Sequence, residues 1–214
     1  MSRLSAGEDK LMKSNKGVFI TLEGGEGSGK STLIEQIRQY WAHLGNDLVI
    51  TREPGGVHLA EQIRELILNP EHEMDGITEA LLYAAARRQH LTEKIIPALE
   101  NGAVVICDRY IDSSLAYQGH ARGLGIDTVY QLNRIAIEGI LPVLTLFLDV
   151  PPEEGLIRIQ ANHEREKNRL DMETLDFHRK VREGYTMLLE QFPDRIVRID
   201  ANKEQHAVWN EVKS

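Results

Sequence analysis

Cysteine is almost absent: Cys107 is the only one in 214 residues, which excludes a disulfide framework and a cysteine metal site. It follows the apolar run Val104-Val105-Ile106 and reads as a small core residue in a reducing compartment. Long apolar runs are missing as well. The longest, residues 141–150, carries Pro142 and Thr145 and is too short to span a bilayer. Nor is there an excess of positive charge. The net charge is −8, so neither nucleic acid nor an anionic membrane is the expected partner, because such surfaces select a basic face. Individual arginines are therefore to be read locally. The first sixteen residues lack the apolar centre of a secretory signal, and a cytoplasmic location is expected. Residues 1–15 read as a disordered extension or a vector-derived remnant, with Met12 a second candidate start, and 16–214 as one domain of α/β size.

What the chain does have begins at Gly24-Gly25-Glu26-Gly27-Ser28-Gly29-Lys30-Ser31-Thr32, which fits the phosphate-loop pattern G-x-x-x-x-G-K-S/T. Glycines let the backbone curl into an anion nest and approach phosphate oxygens without a Cβ in the way. Lys30 adds a point charge for the β- and γ-phosphates of a nucleotide, and the Ser31 hydroxyl is placed to hold Mg²⁺. The context fits: the run 17–22 reads as a buried strand, while Leu33, Ile34, Ile37, Tyr40, Trp41 and Leu44 recur at helical spacing until Gly45 stops the pattern. The loop thus opens a helix, whose N-terminal N–H groups and dipole favour phosphate.

Five strand-like runs, at 18–22, 47–51, 103–108, 143–150 and 195–200, are separated by helical patterns. That alternation predicts an α/β fold with a parallel sheet covered on both faces. Ligands in such sheets lie beyond the carboxyl ends of the strands, and the chemically interesting residues fall there. The phosphate loop follows the first run, Arg52-Glu53-Pro54-Gly55-Gly56 the second, Asp108-Arg109-Tyr110 the third, and Asp149 ends the fourth. Arg52 is either a surface arginine paired with Glu53 or a clamp whose guanidinium matches two phosphate oxygens. Tyr83 and Arg87, four apart in a helical pattern over 78–99, share one face. They form a snorkelling surface pair or a ring that stacks on a base with an arginine at the base's edge. Asp108 and Asp149 each end an apolar strand, as does the aspartate near Mg²⁺ in phosphate-loop enzymes. Asp108 is preferred because Arg109 follows it. The charged stretch 158–173 is a solvated helix or a lid over the reactants. Asn168-Arg169-Leu170-Asp171 looks like a guanine-reading motif but follows no apolar strand.

Taken in order, these residues resemble bacterial thymidylate kinases, a family of phosphate-loop kinases. The similarity rests on Leu22-Glu23-Gly24 before the loop, Arg52 to Gly56, the Tyr83–Arg87 helix, Asp108-Arg109-Tyr110 with Ser113, Ser114, Ala116, Tyr117 and Gln118, and the segment 168–171. It implies a phosphate-loop NTPase fold with five parallel strands in the order 2-3-1-4-5, a kinase domain over 16–214 with a lid at about 155–173, and a homodimer. It implies transfer of the γ-phosphate of ATP to dTMP. Lys30 and the loop, Gly24 to Thr32, would hold ATP, with Ser31 and Asp108 toward Mg²⁺. Glu26 would approach the 3′-hydroxyl of dTMP, and Arg52 and Arg109 would grip its phosphate. Tyr83 would stack on thymine, Arg87 would donate to O4, Ser114 and Gln118 would meet the remaining base edge, and Tyr117 would crowd the 2′ position. Arg165 and Arg169 would supply the lid's positive charge, with the choice between them open.

Overall fold

A computed structural model describes residues 17–44, 47–161 and 169–213. The expected extension at 1–15, Gly45, Arg165 and Asn168 lie outside the described residues. Five strands form one sheet: β1 (Val18–Glu23), β2 (Leu48–Arg52), β3 (Val104–Asp108), β4 (Leu144–Asp149) and β5 (Ile196–Asp200), in the order β2-β3-β1-β4-β5. All four pairings are parallel, as the apolar runs predict. Leu22 lies opposite Asp108 in the register of β1 and β3, and Arg52 opposite Asp108 in that of β2 and β3. The carboxyl ends of the three strands are therefore level, and the loops leaving them meet.

Alternate residues of each strand feed two separate cores. Phe19, Val105, Cys107 and Phe147 point to one face, where they pack with Leu91, Ile95, Val181 and Tyr185. Leu22, Ile106, Leu146 and Leu148 point to the other, against Leu33, Ile37 and Val208. Each fully buried aliphatic or aromatic side chain contributes roughly 1.5–3 kcal/mol, and both faces of the sheet are used. The helices that cover it are α1 (Lys30–Trp41), α2 (His58–Leu68), α3 (Gly76–His90), α4 (Ile96–Glu100), α5 (Ile111–Ser114), α6 (Ile126–Ile137), α7 (Pro152–Ala161), α8 (Leu175–Gln191) and α9 (Gln205–Lys213).

The predicted helix at 78–99 starts two residues earlier, because the Asp75 side chain caps it, accepting from the Ile77 and Thr78 N–H groups at 3.1 and 2.9 Å. It is not uniform. A π-helical segment, Leu91–Ile95, joins α3 to α4 just before Pro97. Proline lacks an N–H and its ring collides with the carbonyl four residues back, and a widened turn relieves that collision. A second π segment, Leu115–Ala121, carries Tyr117 and Gln118; such segments recur at functional sites.

Candidate nucleotide-binding site

The loop Gly24–Gly29 links β1 to α1, and Gly29, at φ 89°, is the left-handed N-cap of that helix with no side-chain cap. The first N–H groups of α1 are thus left to a ligand, as an anion site requires. Gly27 is also fixed by contact: at φ 68° a Cβ there would stand 2.1 Å from the Gly155 carbonyl of α7. Lys30 folds back over the loop and donates to the Gly24 and Gly25 carbonyls at 3.1 and 3.0 Å and to Ser28 Oγ at 3.1 Å. Burial, and then the nearby Arg109 guanidinium, lowers the Lys30 ammonium to about 8. Lys30 makes no ion pair among the described residues, and phosphate oxygens in the loop would supply one.

A cleft of about 820 Å³ runs past the loop. At one end Lys203 and Gln205 follow β5; at the other lie Tyr83, Arg87, Tyr117 and Gln118. Arg109 sits between the ends. It follows β3 at φ 70°, a left-handed conformation that costs a non-glycine residue about 1–3 kcal/mol and concentrates at functional sites. Its Nη2 donates to Glu26 Oε1 at 2.8 Å and its Nη1 to the Gly24 carbonyl at 2.9 Å, while the guanidinium lies 5.1 Å from the centre of the Tyr117 ring. Tyr117 also donates to Glu26 Oε1, at 3.0 Å.

Arg87 is 1% exposed, so it is not a snorkelling surface residue. Its Nε donates to Glu53 Oε2 at 2.7 Å, Nη2 to the Tyr110 carbonyl at 3.0 Å, both Nη groups to Ser114 Oγ at 3.1 Å, and Nη1 to Asn133 Oδ1. Glu53 therefore pairs inward with Arg87 and contacts His90 Nδ1 at 3.1 Å. Arg52 finds a different acidic partner, Glu61, at 2.9 Å. Gln118 Nε2 donates to buried Glu79 at 2.7 Å, which fixes the amide's orientation. Burial raises the Tyr83 hydroxyl pKa, so Tyr83 presents a neutral ring to the cleft.

The structure thus gathers Lys30, Arg109, Glu26, Tyr83, Arg87, Ser114, Tyr117 and Gln118 around one cleft, with Arg52 at its wall. It does not bring Arg169 there. That side chain donates to the Ile67 carbonyl at 2.9 Å and to Glu79, tying the turn Arg169–Met172 to α2 and α3. Among the arginines that line the cleft, Arg64 and Arg158 were not singled out from the sequence as site residues. Arg64, on α2, has its pKa lowered by burial and then by Arg52, with Arg109 adding to the effect, so three guanidinium groups stand close enough to act on one another, two of them paired with Glu61 and Glu26. Spacing gives no signal for Arg64, an ordinary charged position on an amphipathic helix. Arg158, on α7, donates to the Ala201 carbonyl at 3.1 Å and to Asn202 Oδ1 at 3.3 Å; its signal was membership of the charged stretch 158–173.

For a divalent cation the two candidate aspartates differ. Asp149 is saturated, receiving Arg182 at 2.6 and 3.1 Å and also Arg198. Among the described residues Asp108 Oδ1 is buried with no hydrogen-bond partner, and Asp108 lines the cleft with Ser31. A carboxylate oxygen and a hydroxyl on one cleft are hard oxygen donors of the kind that suits Mg²⁺. Another convergence, Glu53, His90 and Cys107 with ligand atoms within 4.8 Å of one another, does not fit a metal. Glu53 is already neutralised by Arg87, and burial raises the Cys107 thiol well above its ordinary value, which keeps it protonated.

The geometry agrees with the comparisons to known proteins. The thymidylate kinase family model matches residues 22–212. A thymidylate kinase of Clostridium novyi (strain NT) is 60% identical over 200 residues, 93% of this chain and 98% of that relative. One of Geobacillus sp. (strain WCH70) is 60% identical over 195 residues, 91% of this chain and 93% of its own length. Among solved structures, a thymidylate kinase from Ehrlichia chaffeensis superposes with a TM-score of 0.74 at 32% identity, covering 92% of this chain and 97% of that one. On sequence and fold together, this chain belongs to the thymidylate kinase family.

Proposed function

We propose that the protein transfers the γ-phosphate of ATP to dTMP, giving dTDP and ADP for dTTP synthesis. The observation that carries this reading is the convergence of Arg52, Arg64 and Arg109 beside the phosphate loop. That cluster calls for a second anion, the acceptor's phosphate, in the same cleft as the donor's. ATP would lie along Gly24 to Thr32 with its base toward residues 201–205, and dTMP would lie toward Tyr83 and Arg87. Lys30, Arg109 and a basic residue of the lid, drawn from Arg165 and Arg169, would neutralise the migrating group while the cleft holds donor and acceptor in line. Because Arg169 anchors on Glu79 in this arrangement, its role there would begin only once it leaves that partner. Ser31 and Asp108 would hold Mg²⁺, which supplies charge neutralisation at the phosphates when bound. No general base is required, since a phosphate monoester is largely ionised near neutral pH.

Thymine's O4 is an acceptor, and Arg87 is a donor that can serve it once the base takes over one hydrogen now given to Ser114. Cytosine presents an amino donor at that point, so dCMP should be rejected by roughly 10⁴-fold or more, whereas dUMP, lacking one methyl, should lose only about 10- to 200-fold. ADP formation measured with Mg-ATP and dTMP, dUMP, dCMP, dGMP or thymidine tests the reading. Turnover on thymidine but not dTMP would convert it to a nucleoside kinase, and acceptor-independent hydrolysis would point to a switch ATPase.

A homodimer and a cytoplasmic location belong to the same reading. The dimer is supported by apolar side chains left in solvent on neighbouring helices: Leu59 and Leu66 on α2, Leu81 on α3 and Ile135 on α6. The buried free thiol of Cys107 suits a reducing compartment. The wild type should sediment as a dimer at micromolar concentration, and Leu66→Glu with Leu81→Glu should sediment as a monomer. A monomeric wild type would remove the dimer from the reading.

A further inference from the structure

Glu23, the last residue of β1, touches neither end of the cleft and has no place in the chemistry above. It is fully buried, and its two oxygens are divided between two tasks. Oε1 accepts the Tyr110 N–H at 2.8 Å. Oε2 accepts the hydroxyls of Ser113 and Tyr185 at 2.6 and 2.9 Å. Those two hydroxyl oxygens are the same ones to which Arg109 Nη1 donates, each at 3.3 Å.

A hydroxyl has one hydrogen. Arginine only donates, so Ser113 and Tyr185 face it as acceptors; the two hydroxyls also lie 2.9 Å from each other, and a charged Oε2 draws both hydrogens away from that mutual bond, leaving the lone pairs of both oxygens to the guanidinium. The carboxylate thereby turns two hydroxyls into acceptors that face the guanidinium. It also holds the backbone beside Arg109, whose N–H donates to the Leu22 carbonyl at 2.9 Å. The left-handed residue is thus fixed on both sides of its peptide as well as at its side chain.

We infer that Glu23 is a positioning residue for phosphoryl transfer, acting solely through Arg109 by setting the donor and acceptor roles of Ser113, Tyr185 and the Tyr110 N–H around it. The inference rests on the proposed transfer to dTMP and on Arg109 as a group that grips the acceptor phosphate. Glu23→Gln is the incisive change, because glutamine has one acceptor oxygen where two are needed. Its amide must either meet the Tyr110 N–H donor to donor, or turn toward the hydroxyls and occupy the lone pairs that Arg109 uses.

The test is a double-mutant cycle with Arg109→Ala, assayed well above neutral pH so that Glu23 in the wild type is ionised. Glu23→Gln alone should lower kcat with dTMP by about 10- to 100-fold and leave the KM for ATP and the binding of thymidine, which has no phosphate, unchanged. In the Arg109→Ala background it should cost less than about 2-fold further, since residues acting as one unit are not additive. Additive losses, or full activity of Glu23→Gln, would overturn the inference. Should Glu23→Gln fail to fold, the pair Ser113→Ala with Tyr185→Phe removes the same relay, and the same non-additivity with Arg109→Ala is expected. A wild type inactive on dTMP would sink the functional reading instead, so the two failures are told apart.

Discussion

Replacing Lys30 with alanine should leave the chain folded and lower phosphoryl transfer by about 10²- to 10³-fold, the loss seen when one preorganised charge is removed from a reacting centre. Two features set this expectation. The ammonium's partners are two backbone carbonyls and Ser28 Oγ at the edge of an open cleft, so water can replace it, and its burial already opposes the charge. The melting temperature should stay within a few degrees of wild type. A variant with near-normal turnover would refute the phosphate role. A pH signature accompanies it. Phosphates favour the ammonium, so binding ATP without divalent cation should take up protons between about 8 and the ordinary 10.5, and affinity should fall as pH rises through 8. Calorimetry in buffers of different ionisation heat reads this uptake, and Lys30→Ala should lack it. For folding the sign reverses: in that window the unfolded chain binds more protons, so Lys30 makes the nucleotide-free protein more stable as pH rises from about 8 to 10.5.

Arg87→Lys should lower kcat/KM for dTMP by about 10²-fold and collapse the discrimination against dCMP from at least about 10⁴-fold toward the 10- to 200-fold range of simple shape fit. Lysine is chosen over alanine because Arg87 and Glu53 are a buried pair, 1% and 3% exposed. Removing one member of such a pair costs about 3–5 kcal/mol, a large part of a domain's usual 5–15 kcal/mol or so. An ammonium can stay with Glu53, but it is a point donor. It cannot also reach the Ser114 edge that the guanidinium fork serves. Parallel assays of dTMP and dCMP decide the matter: an unchanged ratio would move pyrimidine selection away from Arg87.

These residues also show how far the sequence could be read. Parallel strands were legible because apolar runs such as 104–107 are continuous, and the phosphate loop because its chemistry is packed into nine consecutive residues. The strand order came with the family resemblance. What stayed hidden were pairings between distant positions. One of the two readings of Arg52 paired it with Glu53, yet Glu53 belongs to Arg87, thirty-four residues on, while Arg52 takes Glu61. Asn133, behind Arg87, looks like any polar helical residue. Arg169 was placed over the reactants by its charge, but side-chain direction depends on buried Glu79, whose burial no local pattern announces. Arg165 lies outside the described residues.

The sheet order has a consequence for how the chain is made. Its central strand, β1, is synthesised first, yet its neighbours are β3 and β4, which begin at residues 104 and 144. As the chain leaves a ribosome, β1 and the loop after it must wait, with both edges unpaired, until more than half of the molecule has emerged. Parallel pairing across such separations is slow and exposes apolar strands to aggregation meanwhile. The segment proposed to bind the nucleotide is therefore translated before the rest of the sheet and among the last to be locked in place, and recovery of active enzyme should improve when synthesis is slowed or chaperones are abundant.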